Sequence, residues 1–367
     1  MKRFRKLLLK PSNLLWLLLA PVVIAAAYLL PWQEIWQTLK TLTLGELAAL
    51  AVINVIILLL LGSRWWLILR AMGHTIPYLR LARYRMAGFA ISYFTPGTQF
   101  GGEPLQAYLV QNRHGVPTAS SVAAVTMDKL FELLANFTFL VVGLFVTISS
   151  GLIPSLADPR LAGAAAGLLA APLLYLAALW LKKYPLTWLV GLLPKRAWSY
   201  RHLQKLPGLV QAIETQVSEL FRQRPLLAGI VLGLSLVIWL LVLFEYWLMT
   251  SFLGARLSLV QTVVAMTVLR ASFLTPLPGG VGLLEASQAL AMQAFGYSAA
   301  LGISISLLIR VRDLLLGLFS LWAGASATRQ GMLAQAESEM GEIVVAALPL
   351  ANAPPGAALP QSVRSGD

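Results

Sequence analysis

The chain has 367 residues, of which 58% are hydrophobic and only 12% are charged, and its mean hydropathy is +0.75. A soluble globular protein carries about a quarter charged residues to cover its surface, so this composition excludes a water-soluble enzyme. The sequence has no cysteine, which excludes disulfides, thiolate metal sites and cysteine nucleophiles. Its three histidines are far apart, so neither a metal site nor a cofactor is expected.

Six apolar runs are about long enough to cross a bilayer as helices. They are Asn13–Leu30, Leu44–Leu61, Leu130–Ile148, Leu161–Leu181, Leu226–Met249 and Ala299–Trp322. The first run follows a basic segment, but no small-residue cleavage site comes after it. It is therefore predicted to be a retained anchor rather than a signal peptide.

The net charge of +13 is distributed in a way that predicts the orientation of the spans. Five basic residues precede the first run, five follow the second (among them Arg64 and Arg85), and eight follow the fourth. The opposite loops have one each, Lys40, Arg160 and Arg256. Because basic residues near span ends stay in the cytoplasm, both termini are predicted to be cytoplasmic, in the inner (plasma) membrane. This placement favours a membrane protein over a nucleic-acid binder.

Two further apolar stretches, Met86–Gln111 and Leu259–Phe295, are interrupted in the middle by proline and glycine. Their halves are too short to span, proline removes a backbone donor, and glycine permits tight reversal. Both are therefore predicted to be re-entrant hairpins. Their turn residues are Pro96, Gly97, Gly101, Gly102, Pro276, Pro278, Gly279, Gly280 and Gly282.

The two interrupted stretches resemble each other. Glu103 follows Pro96 by seven residues, and Glu285 follows Pro278 at the same spacing. A charged residue lies 25 residues beyond each glutamate, Asp128 (with Lys129) in one case and Arg310 in the other. Three spans separate the stretches, so they open from opposite sides, as in transporters with inverted repeats. The predicted fold is an all-α polytopic membrane protein with six spanning helices and two re-entrant helical hairpins in an inverted repeat.

Ionisable residues inside a membrane normally face a partner or a wet cavity. In the last run, Arg310 and Asp313 are three residues apart and are expected to neutralise each other, whereas Arg312 lacks that partner. Arg270, eight residues before Pro278, is predicted to contact phosphate. Two interpretations remain open for this set: pairing across helices, and binding of an anionic lipid headgroup.

The acidic residues of the two interrupted stretches, and those next to Lys129, also have two interpretations each. Glu103 and Glu285 begin the returning half-helices, where they either cap backbone amides or balance a cation, from a headgroup or from Arg310 or Arg312. Asp128 and Glu132, four residues apart, fit a solvated helix end. Paired carboxylates also suit acid–base chemistry, but no nucleophile or metal-ligand set accompanies them, so no catalytic residue is predicted.

Two polar segments are predicted to lie on anionic headgroups. Lys195–Arg224 has the pattern of a basic amphipathic helix, and Ser63–Arg85, with Trp65 and Trp66, has the same interfacial character. We expect one transmembrane domain over 1–327, including a cytoplasmic amphipathic loop at 182–225, and a disordered cytoplasmic tail at 328–367.

The segment Pro276–Glu285, PLPGGVGLLE, resembles the P-x-P-G-G-x-G-x-x-E signature of the lysylphosphatidylglycerol-synthase transmembrane family, also called flippase-like or UPF0104 proteins. Gly102–Leu109 is similar to the family's G-E/D-x-x-R-A segment, with Gln106 in place of the usual arginine. Lys129 likewise follows Asp128 where arginine is commoner. The resemblance extends over roughly residues 10–328.

This resemblance implies translocation of a lipid between leaflets, with a phospholipid or a polyprenyl-phosphate lipid as the partner. The residues expected to line the headgroup path are Glu103, Gln106, Asp128, Lys129, Arg270, Glu285, Arg310, Arg312 and Asp313. One alternative is a membrane glycosyltransferase, or an accessory protein, that uses polyprenyl-phosphate-linked sugars. A small-solute carrier is another. No phosphate-binding loop for nucleotides occurs, so a gradient or downstream consumption is expected to supply any driving force.

Overall fold

A computed structural model describes residues 32–94, 101–153, 158–192, 206–274 and 282–323. In these ranges the chain forms twelve helices and no strand. They are α1 (Trp32–Lys40), α2 (Leu44–Ala71), α3 (Tyr78–Phe94), α4 (Glu103–His114), α5 (Thr118–Ser150), α6 (Pro159–Trp180), α7 (Pro185–Gly191), α8 (Leu206–Gln223), α9 (Pro225–Phe252), α10 (Leu259–Phe273), α11 (Leu283–Ala294) and α12 (299–323). The predicted span Asn13–Leu30 and the predicted tail 328–367 lie outside the described residues.

Four of these helices, α2, α5, α6 and α9, are long and apolar enough to cross a membrane. They contain the second to fifth apolar runs of the sequence. The sixth run lies in α12, which also contains Arg310, Arg312 and Asp313. Large apolar side chains on the outer faces of these helices are exposed, as lipid-facing surfaces require. The all-α, multi-pass fold class is confirmed.

The bundle has two halves of the same design, α2–α5 and α9–α12. In each, two long helices flank a pair of short ones. The short helices α3, α4, α10 and α11 have 17, 12, 15 and 12 residues. At 1.5 Å per residue they are about 18 to 26 Å long, less than the ~30 Å hydrocarbon core.

The two halves run in opposite directions. Asn54 of α2 donates to Glu245 of α9 over 2.9 Å, and Arg64 of α2 contacts Ser235 of α9 over 3.4 Å. Numbers rise along α2 as they fall along α9, so these two helices are antiparallel. The α3–α4 pair follows the C-terminal end of α2 and the α10–α11 pair follows that of α9. The two short pairs therefore start from opposite ends of the bundle.

Glycines allow the short helices to pack closely against neighbouring helices. A Cβ atom added at Gly102 would overlap the backbone of Gly88, between α4 and α3. One added at Gly302 of α12 would overlap the backbone of Gln288 in α11. Such small-residue contacts are how membrane helices pack without a hydrophobic driving force.

The segment after the second apolar run is not interfacial as predicted. The α2 helix continues to Ala71, and Trp65 is completely buried in the core. Trp66 is partly buried, and its indole N–H donates to the carbonyl of Ile76 over 3.1 Å. The prediction for Trp65 was wrong because a basic residue, Arg64, was taken to mark the end of the span.

The predicted amphipathic helix is present as α8, but its apolar face is not free to bind lipid headgroups. Val217, Leu220 and Phe221 are buried, and α8 packs against α5. Glu214, also buried, accepts hydrogen bonds of 2.9 Å from the backbone N–H groups of Leu186 and Thr187 at the start of α7. The start of the predicted segment, 195–205, lies outside the described residues.

Gly302→Ala tests the close packing of α11 on α12. The added methyl group forces the two backbones apart, so the free energy of unfolding should fall by about 1–3 kcal/mol in a denaturant titration in detergent. Gly233→Ala in α9 is the matched control, because a Cβ there meets nothing within 4 Å. Equal stability of the two variants would contradict the packing described.

Candidate functional site

Glu103 and Glu285 each accept a backbone hydrogen bond at the start of the second short helix in their half. A carboxylate oxygen of Glu103 accepts from the N–H of Gly101 over 2.9 Å, and one of Glu285 accepts from the N–H of Gly282 over 2.8 Å. Both glycines have positive φ angles, 143° and 82°, which favour glycine because it lacks a Cβ. The predicted capping role is confirmed for Glu285, which accepts from the N-cap residue Gly282, but not for Glu103, because Gly101 precedes the N-cap residue Gly102.

The same two glutamates also form ion pairs with the next long helix. Glu103 lies 3.2 Å from Lys129 of α5, and Glu285 lies 2.7 Å from Arg310 of α12. Each short pair is thus fastened, at the start of its second helix, to the long helix that follows it. The sequence suggested that Glu285 balances the charge of Arg310, and the ion pair between them confirms this.

In the first half, a buried carboxylate joins three helices. Asp128 of α5 lies 2.6 Å from both Arg64 of α2 and Arg85 of α3. Glu132, one turn further, contacts Lys129 at 2.7 Å and lies 3.6 and 3.7 Å from the two arginines. The solvated helix end expected for Asp128 was wrong, because α5 begins at Thr118 and places Asp128 three turns inside.

In the second half, the expected pairing was also wrong. Arg312, not Arg310, contacts Asp313, at 2.8 Å, and Arg312 also lies 2.6 Å from Glu245 of α9. Arg310 instead faces Glu285, because the tertiary contact brings a carboxylate closer than the neighbour on its own helix. Glu245 also accepts from Asn54 of α2, so this cluster connects the two halves.

Arg270 of α10 is the exception in this network. It forms no ion pair with any residue that the structure describes, and its Nε atom is buried without a hydrogen-bond partner. Its guanidinium lies 4.8 Å from the ring centre of Trp239, which itself stacks on Phe139 at 4.4 Å. Stacking holds a guanidinium by its face and leaves its in-plane N–H groups available.

The two clusters face each other across the middle of the bundle. Arg270 interacts electrostatically with Glu132 of the first half as well as with Glu245, Arg312 and Asp313 of its own. Tyr93, near the end of α3, interacts in the same way with Arg310 and Asp313.

Most charged side chains of the clusters remain partly exposed, at 16 to 35%, while those of Arg64, Asp128 and Glu245 are 7% exposed or less. These charges come from helices of both halves.

Other predicted site residues are placed differently. Gln106 packs against Gly88 of α3. The turn residues Pro96, Gly97, Pro276, Pro278, Gly279 and Gly280 lie outside the described residues. Within the described ranges, no group of three His, Asp or Glu side chains is arranged to hold a metal ion.

Sequence reasoning missed three members of the network. Arg64 and Arg85 were assigned to a cytoplasmic loop, and Glu245 lies inside an apolar run where no partner was visible. A charge within a span was a usable signal for Glu245. For the arginines the signal was the continuation of a helical pattern past Leu61.

Asp128→Asn should cost far more stability than Glu132→Gln. Loss of the buried charge leaves Arg64 and Arg85 uncompensated, at about 3–5 kcal/mol. Glu132 is 35% exposed and shares its partners, so its loss should cost about 1 kcal/mol or less. Unfolding in detergent measures both values, and similar losses would contradict the assigned burial.

Comparisons with known proteins agree with this helical membrane architecture. The chain is 22% identical over 298 residues to the UPF0104 membrane protein PH1989 of Pyrococcus horikoshii, which covers 77% of this chain and 88% of the relative.

Two matches come from UPF0104 membrane proteins of Methanothermobacter thermautotrophicus. One is 32% identical over 116 residues, about a third of each chain, and the other is 23% identical over 254 residues, covering 64% of this chain and 71% of the relative. No solved structure matches the chain.

Residues 13–320 match the family described as the lysylphosphatidylglycerol synthase TM region, which is most of the chain. The helical architecture, the relatives and this match lead to one conclusion: the chain belongs to the lysylphosphatidylglycerol synthase transmembrane family.

Proposed function

We propose that the protein is a lipid transporter that moves a phosphate-bearing lipid, or a lipid-linked precursor, between the leaflets of the cell membrane. The observation that carries this proposal is Arg270, a cation with no direct acidic partner in the described structure, which lies among charged residues of two oppositely directed halves. In this proposal the network binds and guides a headgroup and performs no covalent chemistry.

The short helix pairs are proposed to form the path of the lipid headgroup. Each helix of these pairs is too short to span the membrane, and the two pairs start from opposite ends of the bundle. We infer that α3–α4 enters the membrane from the cytoplasm and α10–α11 from outside, as re-entrant hairpins. Broken helices that meet near the midplane are where inverted-repeat transporters bind their substrates.

The buried charges are the reason to expect a polar path through the membrane. A charged side chain at the bilayer centre costs at least ~2.5 kcal/mol on insertion scales, so the twelve charged residues of this network must face one another or water. The headgroup would pass along their partly exposed side while the acyl chains stay in the surrounding lipid.

Arg270→Ala should reduce lipid exchange in proteoliposomes about tenfold or more, since one charged hydrogen-bonded contact contributes roughly 1.5–3 kcal/mol. Leaflet exchange of a tail-labelled fluorescent phospholipid, followed by dithionite quenching, measures the rate. Because Arg270 has no direct acidic partner, its removal breaks no ion pair. The loss of its stacking on Trp239 and of its longer-range attraction to Glu132 and Glu245 should therefore lower the thermal unfolding midpoint less than Asp128→Asn does.

Arg256→Ala is the matched control, since Arg256 is an exposed arginine at the start of the same short pair. It should leave the exchange rate unchanged. Equal rates for the wild type and Arg270→Ala would contradict the proposal, as would sugar transfer by the same proteoliposomes from a polyprenyl-phosphate donor.

Single cysteines test the opposite entry of the two hairpins, because the natural chain has none. Asn112→Cys places an exposed thiol near the C-terminal end of α4, and Gln293→Cys places one near the C-terminal end of α11. A membrane-impermeant maleimide should label Gln293→Cys in right-side-out vesicles and Asn112→Cys in inverted ones. Labelling of both from the same side would overturn the re-entrant arrangement.

A further inference from the structure

We propose that the short helix α7 (Pro185–Gly191) lies in the lipid headgroup layer at the C-terminal end of α6, and that the lysines before it bind anionic phospholipids there. This surface role is separate from transport and does not depend on it. The sequence suggested such a role for the segment that begins at Lys195, whereas the structure points to α7.

The outward side of α7 is apolar. Leu186, Trp188 and Leu189 are between 42 and 67% exposed, and Leu192, one residue beyond the helix, is 60% exposed. Thr187 and Val190, on the other side, are partly buried. Leucine and tryptophan side chains on one side of a helix are typical of helices that lie in a membrane interface.

The inward side of α7 is fastened to the bundle by Glu214 of α8, which is buried. Its carboxylate accepts from the backbone N–H groups of Leu186 and Thr187 over 2.9 Å and from the Thr187 hydroxyl over 2.7 Å. It also accepts from the Tyr175 hydroxyl of α6 over 3.2 Å. These contacts fix the rotation of α7, so its apolar side is held outward.

The preceding helix fixes the depth of α7. With 22 residues, α6 is about 33 Å long and crosses the ~30 Å hydrocarbon core once, which places Trp180 near the boundary. The chain then turns, because Lys182 has a φ of 57° and the N–H of Lys183 donates to the carbonyl of Ala178 over 2.8 Å, as in a Schellman motif. Only four residues separate the two helices, so α7 stays close to that boundary.

The charge around α7 favours an anionic lipid surface as its partner. Lys182 and Lys183 are exposed between α6 and α7, and residues 182–205 contain four lysines, two arginines and no acidic residue. The apolar side of α7 also continues the lipid-facing surface of α6, where Trp180 and Leu181 are exposed. Basic residues beside an apolar surface attract anionic headgroups.

A single fluorescent probe tests the location of α7, because the natural chain has no cysteine. Leu189→Cys places an NBD label on the apolar side, and Gln211→Cys places one at an exposed polar position of α8. In proteoliposomes, the label at Leu189→Cys should emit at shorter wavelength and be quenched most by phospholipids with a nitroxide near the carbonyl end of the acyl chain. The label at Gln211→Cys should be quenched by aqueous iodide instead. Equal behaviour of the two labels would overturn the proposal.

A comparison of headgroups tests the preference for anionic lipid. Nitroxide-labelled phosphatidylglycerol should associate with the label at Leu189→Cys at least about fivefold more strongly than nitroxide-labelled phosphatidylcholine, the factor that one surface lysine provides. Adding Lys182→Gln and Lys183→Gln together should lower that preference by about fivefold or more. Lys40→Gln is the matched control, since Lys40 is an exposed lysine at the opposite end of the bundle. An unchanged preference in the double variant would overturn the lysine assignment.

Cross-linking distinguishes a lipid surface from a second copy of the chain. Under mild oxidation in proteoliposomes, Leu189→Cys should form no more disulfide-linked dimer than Gln211→Cys. A higher yield would assign the apolar side of α7 to a protein contact and overturn the proposal. None of these measurements requires lipid exchange, so their failure is distinguishable from failure of the transport function.

Discussion

The structure depends on the pairing of charges within an apolar helical bundle. Asp128 lies between Arg64 and Arg85, at 2.6 Å from each, and ties α2, α3 and α5 together. Burying one of these groups alone would cost several kcal/mol, so none is stable without the others. That requirement fixes how the first short pair sits against the long helices, and Glu245 with Arg312 has the same role in the second half.

The same local arrangement of a glutamate, a backbone N–H group and a cation occurs in both halves. In each half, a glutamate near the start of the second short helix accepts a hydrogen bond from the backbone N–H of a nearby glycine and also binds a cation on the following long helix. Because the local hydrogen bond orients the same carboxylate that forms the ion pair, the start of the short helix is held in register with the long helix. Glu103 with Lys129 and Glu285 with Arg310 are therefore positioned as equivalent fasteners in the two halves.

Arg270 differs from the other cations because aromatic rings, and not a carboxylate, hold it in place. The column of Phe139, Trp239 and Arg270 joins α5, α9 and α10. A charge fixed by stacking keeps its hydrogen-bonding edge, whereas a charge in an ion pair has used it. This difference is the physical basis for proposing an anionic ligand at Arg270.

The sequence by itself determined the membrane class, four of the long helices, the two short helix pairs and the cap formed by Glu285, because composition, run length and local turn chemistry act within a few residues. It also placed Arg270, Arg310 and Arg312 inside the apolar part of the chain. Only the tertiary structure decided the ion-pair partners. Arg64 meets Asp128 across 64 positions and Glu245 meets Arg312 across 67, and no local pattern encodes such contacts. The burial of Trp65 and the pairing of Arg310 with Glu285 were also decided by residues that are close in space and distant in sequence.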